Sequence, residues 1–370
     1  MTRRLLSLAA ALAAGAGLAA RAPAQSPTYT TRPDTLALIP LAGGVSATTF
    51  FSTCAGTDSL RDSTGYVRLF CGRSRVMYTT PHPGTAQPAY ITDRFIGDGT
   101  FTDDDTDALS NNLRFRMFDS TGVYSPNVQF FVQRRKVEAN RDTTYDTANE
   151  AVYRGTSAGA RTFDVMGYRL YATYLAAVGG MRDACFAYHS APCLLVDVHG
   201  NSHAVQRVEV GYSGVTGSML DAGDAAVDAY NVYASPMGLA RMVDRARATS
   251  GMTLSQFVRG PASLGARLVE AGQAAIPSPA DPAPNGSDGY YNGGFTVRRY
   301  ACGLPKQSEL PAGLLFATWP TPKSCAIQLE HPNAIINTTT KRTAVARAET
   351  GALLRFLADY FPPSTVPGAR

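Results

Sequence analysis

Much that would mark a nucleic-acid or membrane protein is missing from this sequence. Its basic residues never form a block, so there is no electrostatic footprint for a polyanion. Beyond the first twenty residues no apolar run is long enough to cross a bilayer. No Cys-x-x-Cys pair occurs, which argues against a thiolate-held metal. No internal repeat and no second composition regime interrupt the 370 residues, so a single domain over residues 25–370 is expected.

What is present begins with an export signal. Arg3 and Arg4 are followed by an apolar run from Leu5 to Ala20, and Ala22-Pro23-Ala24 supplies a small-residue cleavage site. Residues 1–24 therefore read as a signal peptide, and the mature chain is expected in the periplasm or outside the cell. Thr2-Arg3-Arg4-Leu5-Leu6 fits a twin-arginine start as well as an ordinary one. No cysteine lies near the cleavage site to carry a lipid. Removing the signal takes away Arg3, Arg4 and Arg21, which lowers the formal net charge from +5 to +2. All six cysteines lie in the exported part, and an even count in an oxidising compartment reads as disulfides. Their clustering suggests Cys54–Cys71, Cys185–Cys193 and Cys302–Cys325.

Short apolar runs alternate with helical patterns. Val76-Met77-Tyr78, Val128 to Val132, Leu194 to Val198 and Cys325 to Leu329 read as buried strands. Phe163, Gly167, Leu170, Tyr174 and Val178 recur at helical spacing, as do Val345, Ala348, Ala352 and Phe356. The alternation predicts an α/β fold with a mixed, largely parallel sheet flanked by helices. The Pro-, Ser- and Gly-rich stretch from Ala274 to Gly289 reads as a loop, either a linker or part of an active site.

Ligands of such sheets collect at the carboxyl ends of the strands. Three of the predicted strands end in candidate chemistry: one runs into His82, one delivers Asp197, His199 and His203, and one delivers Glu330-His331. In Asp197-Val198-His199-Gly200 the glycine leaves the histidine open to approach. Asp197, two residues earlier, shares a face with His199 and is placed to orient its ring. His203 fits a substrate contact or a turn cap.

These and further motifs resemble the N-formylglutamate amidohydrolase family and, more distantly, the zinc carboxypeptidases and aspartoacylases. The likeness runs over roughly residues 75–360. It rests on Thr80-Pro81-His82-Pro83-Gly84 with Pro88 and Ile91-Thr92-Asp93-Arg94, then Asp103-Asp104-Asp105-Thr106. Lys136-Val137-Glu138-Ala139-Asn140-Arg141-Asp142, Leu195-Val196-Asp197-Val198-His199, Tyr290-Tyr291-Asn292-Gly293-Gly294-Phe295 and Ile327-Gln328-Leu329-Glu330 follow in order.

The resemblance implies one zinc ion held by His82 and His199, with Glu330 taking a proton from water and returning it to the leaving amine. It implies Asn140 and Arg141 on a substrate carboxylate, and Tyr290 or Tyr291 closing over the substrate. The chain departs from the carboxypeptidase pattern at Thr85, which stands where His-x-x-Glu would place a ligand, at Pro83 in place of glycine, and at Glu138 in place of aspartate. The third ligand is then expected to be Asp93, with His203 and Glu209 as the next choices. The implied partner is a small molecule or peptide with a free carboxylate. Two rivals accompany this reading. Gly155-Thr156-Ser157-Ala158-Gly159 fits a serine-hydrolase elbow, but polar residues precede it where that turn needs a strand. An exported, non-catalytic binder of peptides or cell-wall fragments on the same fold is the other.

Overall fold

Runs of β-branched and apolar residues form the strands on which the site is built. The structure, a computed structural model, describes residues 37–91, 93, 102–141, 153–154, 162–232, 237–286, 288–302, 322–361 and 363. The expected signal peptide and the Gly155–Gly159 pattern lie outside the described residues. The first half of the chain contains α1 (Ala47–Thr53), β1 (Ser59–Arg61), β2 (Val67–Phe70), β3 (Val76–Thr80), α2 (Thr106–Thr121), β4 (Asn127–Phe130), β5 (Tyr153–Arg154), β6 (Thr162–Phe163) and α3 (Val165–His189). The next part contains β7 (Cys193–Asn201), β8 (Val208–Gly211), α4 (Gly217–Asp221), α5 (Asp224–Asp228), α6 (Ala240–Ser250), α7 (Leu254–Arg259) and α8 (Leu264–Glu270). It closes with β9 (Ala275–Ile276), α9 (Phe295–Arg299), β10 (Ser324–Pro332), α10 (Asn333–Ile336) and α11 (Thr339–Tyr360).

Eight strands make one mixed sheet in the order β1-β2-β4-β3-β7-β10-β8-β9. Its centre, β4-β3-β7-β10, is parallel, and β2 and β8 flank it antiparallel. This is the α/β fold that the sequence predicts. Side chains alternate across the pleat. Val76, Tyr78, Leu194, Val196, Val198, Ile327 and Leu329 pack with Leu109 and Leu113 of α2 and Phe356 of α11. Met77, Val128, Phe130, Leu195 and Ala326 pack on the other side with Leu170 and Tyr174 of α3 and Phe51 of α1. Asp164 caps α3 by accepting the Gly167 N–H at 2.6 Å.

The cysteines pair as Cys54–Cys71, Cys185–Cys193 and Cys302–Cys325. Cys193 opens β7, and Cys325 lies beside Leu194, so two of the three bridges sit at the amino-terminal ends of the central strands. The loop predicted from Ala274 starts as β9, which pairs with β8 at the sheet edge. Strand β5 does precede the Gly155 pattern, but it pairs with β6 apart from the eight-stranded sheet. Among the described residues no helix is long and apolar enough to cross a membrane.

Candidate metal centre

At their carboxyl ends β3, β7 and β10 exchange apolar residues for polar ones. Because Val196 and Val198 face the α2 side, Asp197 and His199 face the α3 side. Gln328 and Glu330 share that side for the same reason. Register sets Thr79 beside Asp197, Asp197 beside Gln328, and His199 beside Glu330, which in turn faces Glu209 on β8. All six of these side chains are buried. Thr79 Oγ1 donates to Asp197 Oδ1 at 2.7 Å, tying the first row together.

His82 follows β3 by two residues. The chain then folds back, and Asp103 donates its backbone N–H to the His82 carbonyl at 3.0 Å. This brings Asp103 Oδ2 to 3.3 Å from His82 Nδ1 and 3.0 Å from His199 Nδ1. The two rings meet edge to face with centroids 4.8 Å apart. Each ring has a second carboxylate behind it: His82 Nε2 bonds to Glu138, and His199 Nε2 donates to Asp197 Oδ2 at 2.9 Å. An ionised carboxylate only accepts hydrogen bonds, so Glu138 and Asp197 can each accept from a protonated Nε2 and leave Nδ1 on the Asp103 side.

That donor set fits a metal ion. The three ligand atoms lie within 4.8 Å of one another and all three residues are buried. Tetrahedral zinc with bonds of ~2.0–2.1 Å separates its ligand atoms by about 3.4 Å, close to the 3.3 and 3.0 Å between Asp103 Oδ2 and the two Nδ1 atoms. Carboxylates on the far ring nitrogens are how metal-bound histidines fix their tautomer. Burial acts to raise the Asp103 pKa, but the imidazoles of His82 and His199 outweigh it and hold this carboxyl well below the usual range. Burial likewise opposes charge on His199, and Asp197 and Asp103 overcome it, so its pKa stands well above the ordinary value.

The expected third ligand is corrected by this geometry. Asp93 gives one oxygen to Arg135 Nε and the other to Lys136 Nζ, both at 2.7 Å, in a partly exposed ion-pair cluster. His203 and Glu209 bind each other, with Nδ1 2.6 Å from Oε1. It is Asp103 that joins the histidine pair. Gly200 helps it there: a Cβ at position 200 would stand 3.2–3.3 Å from the Cβ and Cα of Asp103. A second grouping, Cys185, His189 and Cys193, is a disulfide beside a histidine, because the two thiols are bonded to each other.

Glu330 accepts the Gln328 amide at 2.5 Å through Oε1, and its Oε2 is buried with no hydrogen-bond partner among the described residues. Burial, aided by the nearby Asp103 and Glu209 carboxylates and opposed by His199, raises its pKa to about 8.

Arg134, which the sequence reading passed over, donates Nε to Glu138 Oε2 at 2.8 Å, and one of its Nη atoms stands 3.9 Å from Asp103 Oδ1. Burial lowers its pKa, but Glu138, Asp103 and Glu330 more than compensate. The available signal was its place four residues before Glu138, one helical turn's spacing.

The other expected site residues divide. Asn140 is committed internally: its Oδ1 accepts the Thr296 N–H at 2.8 Å, and its Nδ2 lies 3.2 Å from His199 Nε2. Arg141 donates to its neighbour's carbonyl, that of Asn140, at 3.2 Å. Tyr290 donates to the Val210 carbonyl at 2.7 Å, whereas Tyr291 is exposed and stacks on His203.

No family model matches the chain, and no curated protein matches it. Among solved structures, the chain is similar to the Atu2144 gene product of Agrobacterium tumefaciens at 13% identity and a TM-score of 0.37. That match covers 79% of this chain and 95% of the other. It is also similar to the apo form of the N-acetylmuramyl-L-alanine amidase Ami1 of Mycobacterium abscessus, at 11% identity and a TM-score of 0.30, covering 76% of this chain and 98% of that one. At these scores nothing about activity follows from either.

Proposed function

We propose that this chain is an exported zinc-dependent amide hydrolase of the N-formylglutamate amidohydrolase type. Its substrate class is a small N-acyl amino acid or peptide with a free carboxylate. The observation that carries the reading is the convergence of His82 Nδ1, His199 Nδ1 and Asp103 Oδ2, with a carboxylate behind each ring. Zinc held by His82, His199 and Asp103 would lower the pKa of a water towards ~7 and polarise a scissile carbonyl.

Glu330 is the base in this reading. It shares the α3 side of the sheet with His199, and its Oε2 has no hydrogen-bond partner among the described residues. Arg134 pairs with Glu138 and stands 3.9 Å from Asp103, where its charge can balance charge developing on the carbonyl oxygen. Arg141 makes no ion pair among the described residues, and its planar fork suits a substrate carboxylate. Asn140 orders the site from behind rather than reaching the substrate. The disulfides support an oxidising compartment.

The test is a metal analysis combined with turnover of a panel of N-acyl amino acids. The parent should hold zinc near one equivalent and lose activity to a chelator. Glu330→Gln should keep its zinc yet lose ~10²–10⁴-fold in turnover, the usual contribution of general acid–base catalysis. A parent without zinc, or Glu330→Gln at the parent rate, would sink the reading. Zinc and ligand binding without turnover in the parent would favour a non-catalytic binding protein.

A further inference from the structure

His203 and Glu209 take no part in the metal centre, yet they stand beside its base. Glu209 and Glu330 are paired in register on antiparallel strands. Val208 and Val210 turn to the α2 side, so Glu209 turns to the side that Glu330 occupies. Residues opposed in this way have Cβ atoms about 4.5–5.5 Å apart. His203 reaches the same carboxylate from the turn after β7: Nδ1 lies 2.6 Å from Glu209 Oε1, while Oε2 accepts the Tyr291 backbone N–H at 2.7 Å.

The histidine is held in a fixed pose. Tyr291 stacks on it at 4.6 Å with the ring planes 21° apart. Gly289 also packs against the ring, so closely that a Cβ there would lie 2.6–2.7 Å from Nε2, Cδ2 and Cε1, and its φ of +75° favours glycine independently. Asp281 and Asp288 of the same loop pair with the buried Arg207, at 2.7 and 3.5 Å. Tyr291 is exposed, and its backbone bond to the buried Glu209 places the stack where that carboxylate meets the surface.

A ring built in this way has one working edge. The Glu209 carboxylate accepts the Nδ1 proton, which leaves Nε2 as the edge turned away from it. Nε2 has no hydrogen-bond partner among the described residues, and the side chain is 21% exposed where Glu209 is 1%. We propose that His203 is the general acid of the amide cleavage, with Nε2 handing its proton to the leaving amine nitrogen.

This rests on the hydrolase reading above and gives to His203 the second half of the role expected of Glu330. As the water oxygen forms the new C–O bond, its proton passes to Glu330. The C–N bond then breaks with its electron pair on nitrogen, and that nitrogen takes the Nε2 proton. The proton on Glu330 returns to His203 through solvent, which restores both groups. The division suits their places, since Glu330 is enclosed and His203 lies at the rim, where the amine departs.

The test compares an amide, whose nitrogen must be protonated to leave, with an ester whose leaving group needs no proton. Full-length, zinc-loaded parent, His203→Gln and Glu209→Gln are assayed on para-nitrophenyl acetate and on the fastest of a set of N-acetyl amino acids and N-acetyl dipeptides. His203→Gln should lower the ratio of amide to ester turnover by ~10²–10⁴-fold. Glu209→Gln should lower it less, and zinc content and circular dichroism should be unchanged in both. An unchanged ratio, or equal loss on both substrates, overturns the assignment and leaves the hydrolase reading standing. A zinc-loaded parent that cleaves the ester but none of the amides overturns it too. A parent that cleaves neither shows that the hydrolase reading itself has failed and takes this assignment with it.

Discussion

Asp103 is the side chain that reaches both rings, and its charge would offset that of a divalent ion held by the two imidazoles. Asp103→Asn keeps the shape and removes the charge, so it should reduce bound zinc from near one equivalent to below roughly a tenth. Asp93→Ala should leave zinc content unchanged, because that carboxylate serves Arg135 and Lys136. Elemental analysis of the dialysed variants decides the matter, and the reverse result would return the ligand to Asp93. The positions of His82, His199 and Glu330 were legible because His82 comes two residues after β3, and His199 and Glu330 lie in the last residues of β7 and β10, where residue order fixes position. Asp103 was not, because it lies among three consecutive aspartates on a loop that folds back, and no periodicity says which of them turns inward. In sequence Gly200 leaves His199 open to approach. Asp103 uses that opening.

Among whole elements, β10 shows how neighbouring residues come to serve different ends. Glu330 and His331 are adjacent, yet the pleat sends them to opposite sides of the sheet. His331 Nδ1 donates to the His199 carbonyl at 2.8 Å, and its Nε2 lies 2.6 Å from Glu349 Oε1 on α11, with both side chains fully buried. The pair thus ties α11 to the strand that carries His199. Removing one partner of a buried charge-bearing pair costs about 3–5 kcal/mol, and His331→Ala should show a loss of that size in urea unfolding. A loss below about 1 kcal/mol would mean that the pair is dispensable, as surface pairs usually are.

The four parallel strands were legible because burial on both sides makes them continuous apolar runs. β8 was not: in Val208-Glu209-Val210-Gly211 the glutamate suggests an exposed face, whereas Glu209 is buried against His203. α2 carries Leu109, Leu113 and Met117 at helical spacing, but its abundant polar residues dilute that pattern.

On the scale of the whole molecule, the covalent and candidate metal cross-links occupy opposite ends of the sheet. Cys193 precedes His199 by six residues on β7, and Cys325 precedes Glu330 by five on β10, which separates bridge from site by about 16–20 Å at ~3.3 Å per residue. Perturbations more than about 10 Å apart that share no partner add in free energy to within roughly 0.5 kcal/mol. Replacing Cys302 and Cys325 together by serine opens a loop spanning a separation of 23 residues. The chain-entropy account assigns such a loop about 3 kcal/mol. Zinc at a thousand times its dissociation constant adds about 4 kcal/mol to a protein that binds it only when folded. The double serine variant should therefore lose about 3 kcal/mol with zinc present and the same amount with a chelator present, and its zinc affinity should match the parent's. Unfolding curves for both proteins in both conditions give all four terms of the cycle. A coupling well above about 0.5 kcal/mol would show that the amino-terminal bridge and the carboxyl-terminal site share one cooperative element, and the strands β7 and β10 that run between them are where that coupling would have to travel.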